Sequence, residues 1–327
     1  MPSCVIILFF AHFGMIIANI HYLKTFEMYK LFTLLLAITL ISCNNPIKDN
    51  NANSQNNKKV ITPLENTVHE LPEELNEISG ITFLNDSIVA AIEDEEGIIY
   101  YYNINQKSII KKQNFAEKDD YEDLVKAGKD LYTITSKGLI HEIKDFESAK
   151  PVIRSFKTPF SKENDIEGLT YDAKKHRLLI APKEAGLDMD KKTKEIYAFD
   201  LKTMTLQTAP VYTIHLPEIE AQFQGDALEE SSKKFLKALG NHNMNKVFRT
   251  SALTINETTG ETFILSAING LIIVLTPEGI LKKLIQLSGP EYKQPEGIAF
   301  SPNGKLYISN EGNKSGIGNI IELKHEN

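Results

Sequence analysis

Short apolar runs alternate with clusters of polar turn residues along most of the chain. In residues 166–182, for example, the run IEGLTY is followed by the turn DAKKH and then by a second run, RLLIAP. Runs of this length that are rich in apolar and β-branched side chains and bounded by turn residues are typical of β-hairpins. The pattern predicts an all-β fold.

The hairpins belong to a repeating unit. Neighbouring copies start 45 residues apart, except that 84 residues separate the third copy from the fourth. Each copy contains an apolar strand A, then strands B and C, and a more variable strand D. Units of this size with four short strands are typical of β-propellers. The copies start at Glu77, Glu122, Glu167, Ser251 and Glu296.

The long step between the third and fourth copies contains residues that lack strand patterns, at about 215–248. Within it, DALEESSKKFLKALG favours a helix, with Asp226 as its N-cap and Gly240 just after its last turn. We therefore expect a five-bladed β-propeller with a helical insertion after the third blade. A six-bladed ring is the alternative.

The fifth copy is too short for four strands, because only 31 residues follow Glu296. Strand-like residues between Val60 and Leu71 precede the first copy and are available to complete it. An open ring would leave a bare sheet edge, so closure by this segment is expected. The predicted propeller domain is 59–327.

The N-terminal segment has the features of an export signal. Residues 28–43 combine Lys30, the apolar run Leu31–Ile41 and the sequence LISC, which ends at Cys43. These features are typical of a secretory leader, and the ending resembles a bacterial lipobox, in which the cysteine is lipidated. Residues 44–58 are polar and Asn-rich, which predicts a flexible tether. Residues 1–27 hold another apolar run. We interpret them as an extension of the gene model upstream of the true translation start at Met28; the alternative is an N-terminal membrane anchor.

Charge and cysteine content narrow the possible partners and the location. The net charge is −7 and no run of Lys and Arg is present, so nucleic acid is not an expected partner. The two cysteines are Cys4 and Cys43; once the first is removed and the second lipidated, no thiol remains for a disulfide or a thiolate site. The expected location is the cell envelope, with the lipid anchor in the inner or the outer membrane.

Acidic residues recur at matching places in the repeats. In a propeller, the start of strand A and the end of strand B lie at one mouth of the central channel. Carboxylates that converge there repel one another, and burial raises their pKa values, so the cluster favours a bound cation. Oxygen ligands without Cys or clustered His favour Ca²⁺, and a roomy rim favours it over Mg²⁺. The predicted ligands are Glu77, Glu122, Glu167 and Glu296, with Asp94, Glu184, Ser251 and Glu311 as further rim ligands. The alternative is a structural role, in which each Glu accepts backbone N–H bonds or pairs with a lysine.

The segments EISGI, DYEDL, DIEGL, ILSAINGLIIVL and PEGIAF together resemble the SdiA-regulated family of YjiK- and CarP-like proteins. The resemblance covers the chain from about residue 70 to its end. It implies a five-bladed propeller, an exported or membrane-anchored location and a calcium site in the channel at the predicted glutamates. Two positions depart from the family pattern. Asp123 stands where a Gly is usual, and the fourth repeat has Ser251 instead of a carboxylate.

Two functions from different classes are compatible with this pattern. The first is a non-catalytic, calcium-binding module that presents its rim to an unknown small molecule or protein. The second is a calcium-dependent hydrolase. A phytase-like phosphoesterase needs basic residues beside the acids, and Lys183 is the clear candidate; a gluconolactonase-like lactonase needs a base, such as Asp94 or Glu184. The motifs HExxH, GxSxG and GxGxxG are absent, so no catalytic residue is predicted.

Overall fold

The computed structural model describes residues 64–222, 244–287, 289–312 and 316–324. These residues fall in one compact unit, Lys59–Asn327, and the other unit, Met1–Lys58, contains none of them. The predicted leader, lipidation site and tether therefore lie outside the described residues, as does the predicted helix at 226–239.

Five antiparallel sheets make up the described part of the chain. The strands are β1 (Leu64–Glu70), β2 (Ile78–Phe83), β3 (Ile88–Glu93), β4 (Ile98–Asn103), β5 (Ser108–Asn114), β6 (Tyr121–Ala127), β7 (Asp130–Thr135), β8 (Leu139–Lys144), β9 (Val152–Lys157), β10 (Ile166–Asp172), β11 (Arg177–Pro182), β12 (Thr193–Asp200), β13 (Thr205–Leu206), β14 (Tyr212–His215), β15 (Ala252–Ile255), β16 (Thr262–Ser266), β17 (Leu271–Leu275), β18 (Leu281–Gln286), β19 (Pro295–Phe300), β20 (Leu306–Asn310) and β21 (Asn319–Lys324).

Each sheet is one blade, and its strands follow the chain order from the inside outward. Blades 1, 2 and 4 are β2–β5, β6–β9 and β15–β18. Blade 3 consists of β10, β11 and β12, and both β13 and β14 pair with the outer side of β12. Blade 5 contains β19, β20 and β21, with β1 as its fourth strand. The chain is a five-bladed β-propeller, as the repeat predicts.

The ring closes between the last blade and the first strand. Val68 of β1 lies opposite Ile321 of β21 in an antiparallel pair. On the inner side, the hydroxyl of Ser309 in blade 5 donates a hydrogen bond of 3.1 Å to the carbonyl oxygen of Ser79 in blade 1. The prediction that the segment before the first repeat completes the fifth blade is confirmed, and the sheet edge is covered.

The hydrophobic core is divided among the interfaces between neighbouring blades. Five clusters of buried side chains lie between successive blades, including one between blades 5 and 1. In that cluster the rings of Phe83 and Tyr307 pack with centroids 4.6 Å apart. Because blades cover strands B and C on both faces, these strands are continuous apolar runs such as Leu271–Leu275.

Within the described residues, two short helices follow blade 3. They are α1 (Leu216–Gln222) and α2 (Met244–Val247), and a 3₁₀ turn at Glu73–Leu75 precedes blade 1. Ile219 and Val247 join the buried cluster between blades 3 and 4, so the helical segment is attached to the ring by packing. Among the described residues, no helix is both long enough and apolar enough to cross a membrane.

Candidate functional site: an acidic channel mouth

A β-bulge near the start of strand A directs the glutamates that the sequence analysis singled out. In blade 3 the pairing of β10 with β11 shifts register between Ile166 and Gly168, which leaves Glu167 as the extra residue. The same shift occurs at Glu122 in blade 2 and at Glu296 in blade 5. A bulge re-aims one side chain out of the regular alternation and is common beside functional sites. The bulge explains why Glu occupies a place that strand propensity disfavours.

In blades 3 and 5 the residue after the bulge is glycine, because the next blade comes very close. A Cβ atom on Gly297 would lie 2.6 Å from the carbonyl oxygen of Ser79 in blade 1. A Cβ atom on Gly168 would lie 2.6 Å from the Leu253 side chain in blade 4. The Glu-Gly pair therefore has two separate roles, since Glu is presented by the bulge and Gly lets the inner strands approach each other.

Seven of the eight predicted site residues line one cavity of about 200 Å³ at the channel mouth. They are Glu77, Asp94, Glu122, Glu167, Ser251, Glu296 and Glu311, and the cavity also contains Asp120 and Lys183. Glu184 does not line it; its carboxylate accepts a hydrogen bond from the Arg249 guanidinium instead. The structure brings the seven together, and metal ligation by them stays a prediction.

The strand register shows which residue of blade 1 is equivalent to the bulge glutamates of the other blades. Ser79 precedes Gly80 in β2 as Glu122 precedes Asp123 in β6, so Ser79 is the equivalent of the bulge glutamates. Glu77 lies two residues earlier. We call the first set the inner ring and the set two residues before it the outer ring. The inner ring is Ser79, Glu122, Glu167, Ser251 and Glu296, and the outer ring is Glu77, Asp120, Asp165, Arg249 and Gln294.

Asp120 and Asp165 of the outer ring are not among the site residues predicted from the sequence. Each comes two residues before a bulge glutamate, in the segments DYE and DIE, so a search for repeated acids on both sides of the bulge could have found them. Their backbone carbonyls accept hydrogen bonds from the N–H groups of Ser136 and Lys183, at 2.9 and 2.7 Å. These bonds fix both acids next to the end of strand B in their own blades.

Burial raises the pKa values of the inner-ring glutamates. The pKa of Glu122 rises to about 10, because of burial and then of repulsion by Glu167. Burial also raises the pKa of Glu167 to about 8, although Lys183 lowers it, and the pKa of Glu296 to about 7. Without a cation, this cluster holds protons at neutral pH.

Lys183 is the one basic residue that lines the acidic cavity within the described residues. Its ammonium group contacts Oε1 of Glu167 and lies 3.9 Å from the carboxylate of Asp165. Burial alone would lower the pKa of Lys183, but these two carboxylates raise it. The lysine therefore stays charged and offsets part of the negative charge.

Part of the cluster has carboxylate oxygens close enough to share one ion. Oxygens of Glu122, Asp165 and Glu167 lie within 4.8 Å of one another. Oε2 of Glu167 is buried and has no hydrogen-bond partner among the described residues. A buried, unpaired carboxylate oxygen is costly, and a hard cation is one group that would satisfy it.

The comparison with known families agrees with the repeat pattern. The SdiA-regulated family matches residues 53–314. The chain belongs to the SdiA-regulated family. No curated protein matches this member of the family.

Several solved structures of low sequence identity are similar to this chain. Glutaminyl cyclase from Myxococcus xanthus is 14% identical with a TM-score of 0.50, over 81% of this chain and 100% of that chain. Virginiamycin B lyase from Staphylococcus aureus is 14% identical with a TM-score of 0.42, over 80% of this chain and 74% of that chain. A luciferin-regenerating enzyme is 13% identical with a TM-score of 0.45, over 80% and 95% of the two chains. At these identities the likeness concerns the fold alone.

Proposed function

We propose that this family member is a calcium-binding propeller of the bacterial cell envelope, with a non-catalytic role as a binding or interaction module. The observation that carries the proposal is the convergence of Glu122, Glu167 and Glu296 from three blades on one small cavity. The rim around this cavity would bind a small molecule or a protein. Bound Ca²⁺ would hold the rim together and contribute to that surface.

The charge balance of the cavity supports a bound cation. Seven carboxyl groups line it, and Lys183 is the single basic side chain that they face within the described lining. The raised pKa values of the inner ring mean that ionisation is suppressed by burial and repulsion. A divalent cation removes both penalties at once, because it replaces the protons and attracts the carboxylates.

The donor set favours Ca²⁺ over Mg²⁺ and over transition metals. Calcium accepts about six to eight oxygen ligands in flexible arrangements, whereas magnesium requires a near-ideal octahedron. The candidate donors come from different blades, and the cavity of about 200 Å³ has room for an ion and several waters. No Cys or His lines the described part of this cavity, so softer metals have no preferred ligand.

The envelope location is proposed from the N-terminal sequence. The leader ending at Cys43 supports export and lipidation, and residues 44–58 would form the tether. Fully extended, a tether of this length spans up to roughly 50 Å, which would hold the propeller close to the membrane. Mass spectrometry of Cys43, together with release of Cys43→Ala from the membrane fraction, tests this part.

A hydrolase is the second candidate, and one observation favours its phosphoesterase form. Arg249 and Lys293 lie beside the acidic mouth in addition to Lys183, so basic groups are present where a phosphate ester would need them. Screening of phosphate esters and lactones, with Glu167→Gln as the control for site-dependent activity, separates a hydrolase from a binding module.

Thermal unfolding tests calcium binding directly. The full chain, extracted in detergent, should melt at a higher temperature in Ca²⁺ than in EDTA, because a ligand at a hundred times its Kd adds about 2.7 kcal/mol to the free energy of unfolding. Glu167→Gln should lose most of this shift. Glu163→Gln, an exposed glutamate of the same segment, should retain it. Identical melting in Ca²⁺ and EDTA would contradict the proposal.

A further inference from the structure

Basic residues gather on one side of the channel mouth, at blades 3 to 5. A second cavity of about 380 Å³ lies there and shares Glu167, Lys183, Ser251 and Glu296 with the acidic cavity. Its additional lining includes Arg249, Lys293 and Gln294. The two cavities therefore meet along a common edge, with carboxylates on that edge and cationic groups beyond it.

Part of the positive charge in this second cavity is not paired with neighbouring acids. Lys293 is exposed and forms no ion pair with any residue that the structure describes. Arg249 uses Nη2 to bind Glu184, but its Nε is buried and lacks a hydrogen-bond partner within the described ranges. A buried guanidinium nitrogen without an acceptor is a costly group, and an anionic ligand would provide the acceptor.

The charge of the outer-ring side chains changes from negative to positive at blade 4. Blades 1 to 3 place acids there, namely Glu77, Asp120 and Asp165, whereas blade 4 places Arg249. The blades repeat the same strand order, so the ring geometry itself does not require a cation at this position. An exposed lysine and a half-exposed arginine contribute little to packing. Although Arg249 pairs with Glu184, the change of sign places a cation in the lining of the second cavity, where it favours a negatively charged ligand.

We propose that this cavity is an anion subsite that binds the phosphate group of a small phosphorylated molecule beside the calcium site. Lys183, Arg249 and Lys293 would hold the phosphate oxygens. Gln294 lies at the same wall, and its amide donates one N–H to Glu311 over 2.7 Å, which leaves its second N–H for a ligand. The inference rests on the proposed function, because the carboxylates on the shared edge favour an anion only when a cation is bound among them.

Phosphate fits this subsite better than a carboxylate does. Lys183 and Arg249 already pair with Glu167 and Glu184, so the charge that a ligand would meet is that of Lys293 and of the proposed cation, with Nε of Arg249 as a further donor. This charge suits the roughly two negative charges of a phosphate monoester better than the single charge of a carboxylate. A cavity of about 380 Å³ also has the size of a small-ligand site. The remaining space can accept a small organic group attached to the phosphate.

Isothermal titration calorimetry of the full chain with glycerol 2-phosphate tests the proposal. Binding should be tighter in Ca²⁺ than in EDTA, and Lys293→Gln should weaken it by about tenfold, since one charge-assisted contact is lost. Lys174→Gln is the matched control, because Lys174 is exposed in the turn between β10 and β11, which lies at the other end of strand A. It should leave the affinity unchanged. Inorganic phosphate as a second probe shows whether the phosphate group is sufficient by itself.

The outcomes separate this inference from the proposed function. A calcium-dependent melting shift with no glycerol 2-phosphate binding, or with equal binding by Lys293→Gln, overturns the anion subsite and leaves calcium binding intact. Acetate is titrated as a further probe. If it binds as tightly as glycerol 2-phosphate does, the assignment of phosphate is overturned. Absence of any calcium shift overturns both, because the subsite requires stronger binding in Ca²⁺ than in EDTA. Lys293→Gln should melt like the wild type in EDTA, so a folding defect is recognised separately.

Discussion

The carboxylate of Asp123 in blade 2 accepts a hydrogen bond from the backbone N–H of Leu169 in blade 3, over 2.8 Å. Its other oxygen accepts the N–H of Leu124, also at 2.8 Å. Asp123 is 3% exposed and therefore joins two inner strands inside the ring. Asp123, which stands where blades 1, 3 and 5 have Gly80, Gly168 and Gly297, is thus a bridge between blades, and it does not line the acidic cavity.

Removing this bridge should destabilise the propeller. Asp123→Ala leaves two buried N–H groups without an acceptor, and each such loss costs about 1–3 kcal/mol. We expect the free energy of unfolding to fall by about 2–5 kcal/mol in urea titrations. Asp123→Asn keeps one acceptor oxygen and should lie between Ala and the wild type. An Ala variant within about 0.5 kcal/mol of the wild type, the range of an ordinary surface substitution, would refute the bridge.

Because the inner strands of blades 5 and 1 approach each other closely, the residue after the bulge of blade 5 should tolerate no larger side chain. Gly297→Ala would place a Cβ atom 2.6 Å from the backbone oxygen of Ser79, so blades 5 and 1 must move apart. Overpacking of this kind costs about 1–3 kcal/mol, to be measured by chemical denaturation. Blade 4 already has Ala252 at the matching position, and Ala252→Gly serves as the reciprocal control. Full stability of Gly297→Ala would show that the interface is looser than described.

The repeat and its closure could be predicted from sequence because they depend on patterns that recur. Apolar runs mark the strands, and the short last repeat leaves one strand missing that residues before the first repeat can supply. The register of blade 1 could not be predicted in this way. Glu77 is 45 residues before Glu122, so equal spacing suggested equivalence, whereas the backbone pairing assigns that place to Ser79.

The basic sector of the mouth was missed for a different reason. Arg249 and Lys293 are isolated in the sequence, and neither belongs to a basic run. They come together with Lys183 only because three separate blades place them at one side of the channel. Lys183 alone could be recognised, since it directly follows strand B, as the acids Asp94 and Glu311 do in blades 1 and 5. Residues that come together only because the blades form a ring leave no pattern in any one stretch of the sequence.

The two rings should contribute unequally to calcium binding. Glu122→Gln removes an inner-ring carboxyl group, a proposed calcium ligand, whose pKa burial raises to about 10, so this neutral variant should match or exceed the wild type in stability in EDTA. Its calcium-dependent rise in melting temperature should nevertheless be mostly lost. Glu77→Gln, at an exposed position of the outer ring, should retain most of that rise. Equal losses in both variants would argue against an inner-ring site.

His141 should make the stability of blade 2 depend on pH. Its ring is 7% exposed, packs against the rings of Phe115 and Tyr121 and contacts the hydroxyl of Ser155 through Nδ1. Burial lowers the pKa of His141 below its ordinary 6.5, although Asp119 raises it. The native state therefore keeps a neutral ring where the unfolded chain takes up a proton, so stability present above pH 6.5 falls as the pH drops below that value.

Because His141 takes up one proton at most, it can change the free energy of unfolding by at most about 1.4 kcal/mol per pH unit. The channel carboxyls titrate as well, so the informative quantity is the difference between the wild type and His141→Phe, which retains the ring packing. Urea unfolding between pH 5 and 7.5 should show the wild type losing stability relative to the variant as the pH falls, with a constant difference above pH 6.5. A difference that stays constant over the whole range would mean that His141 is protonated equally in the folded and unfolded states.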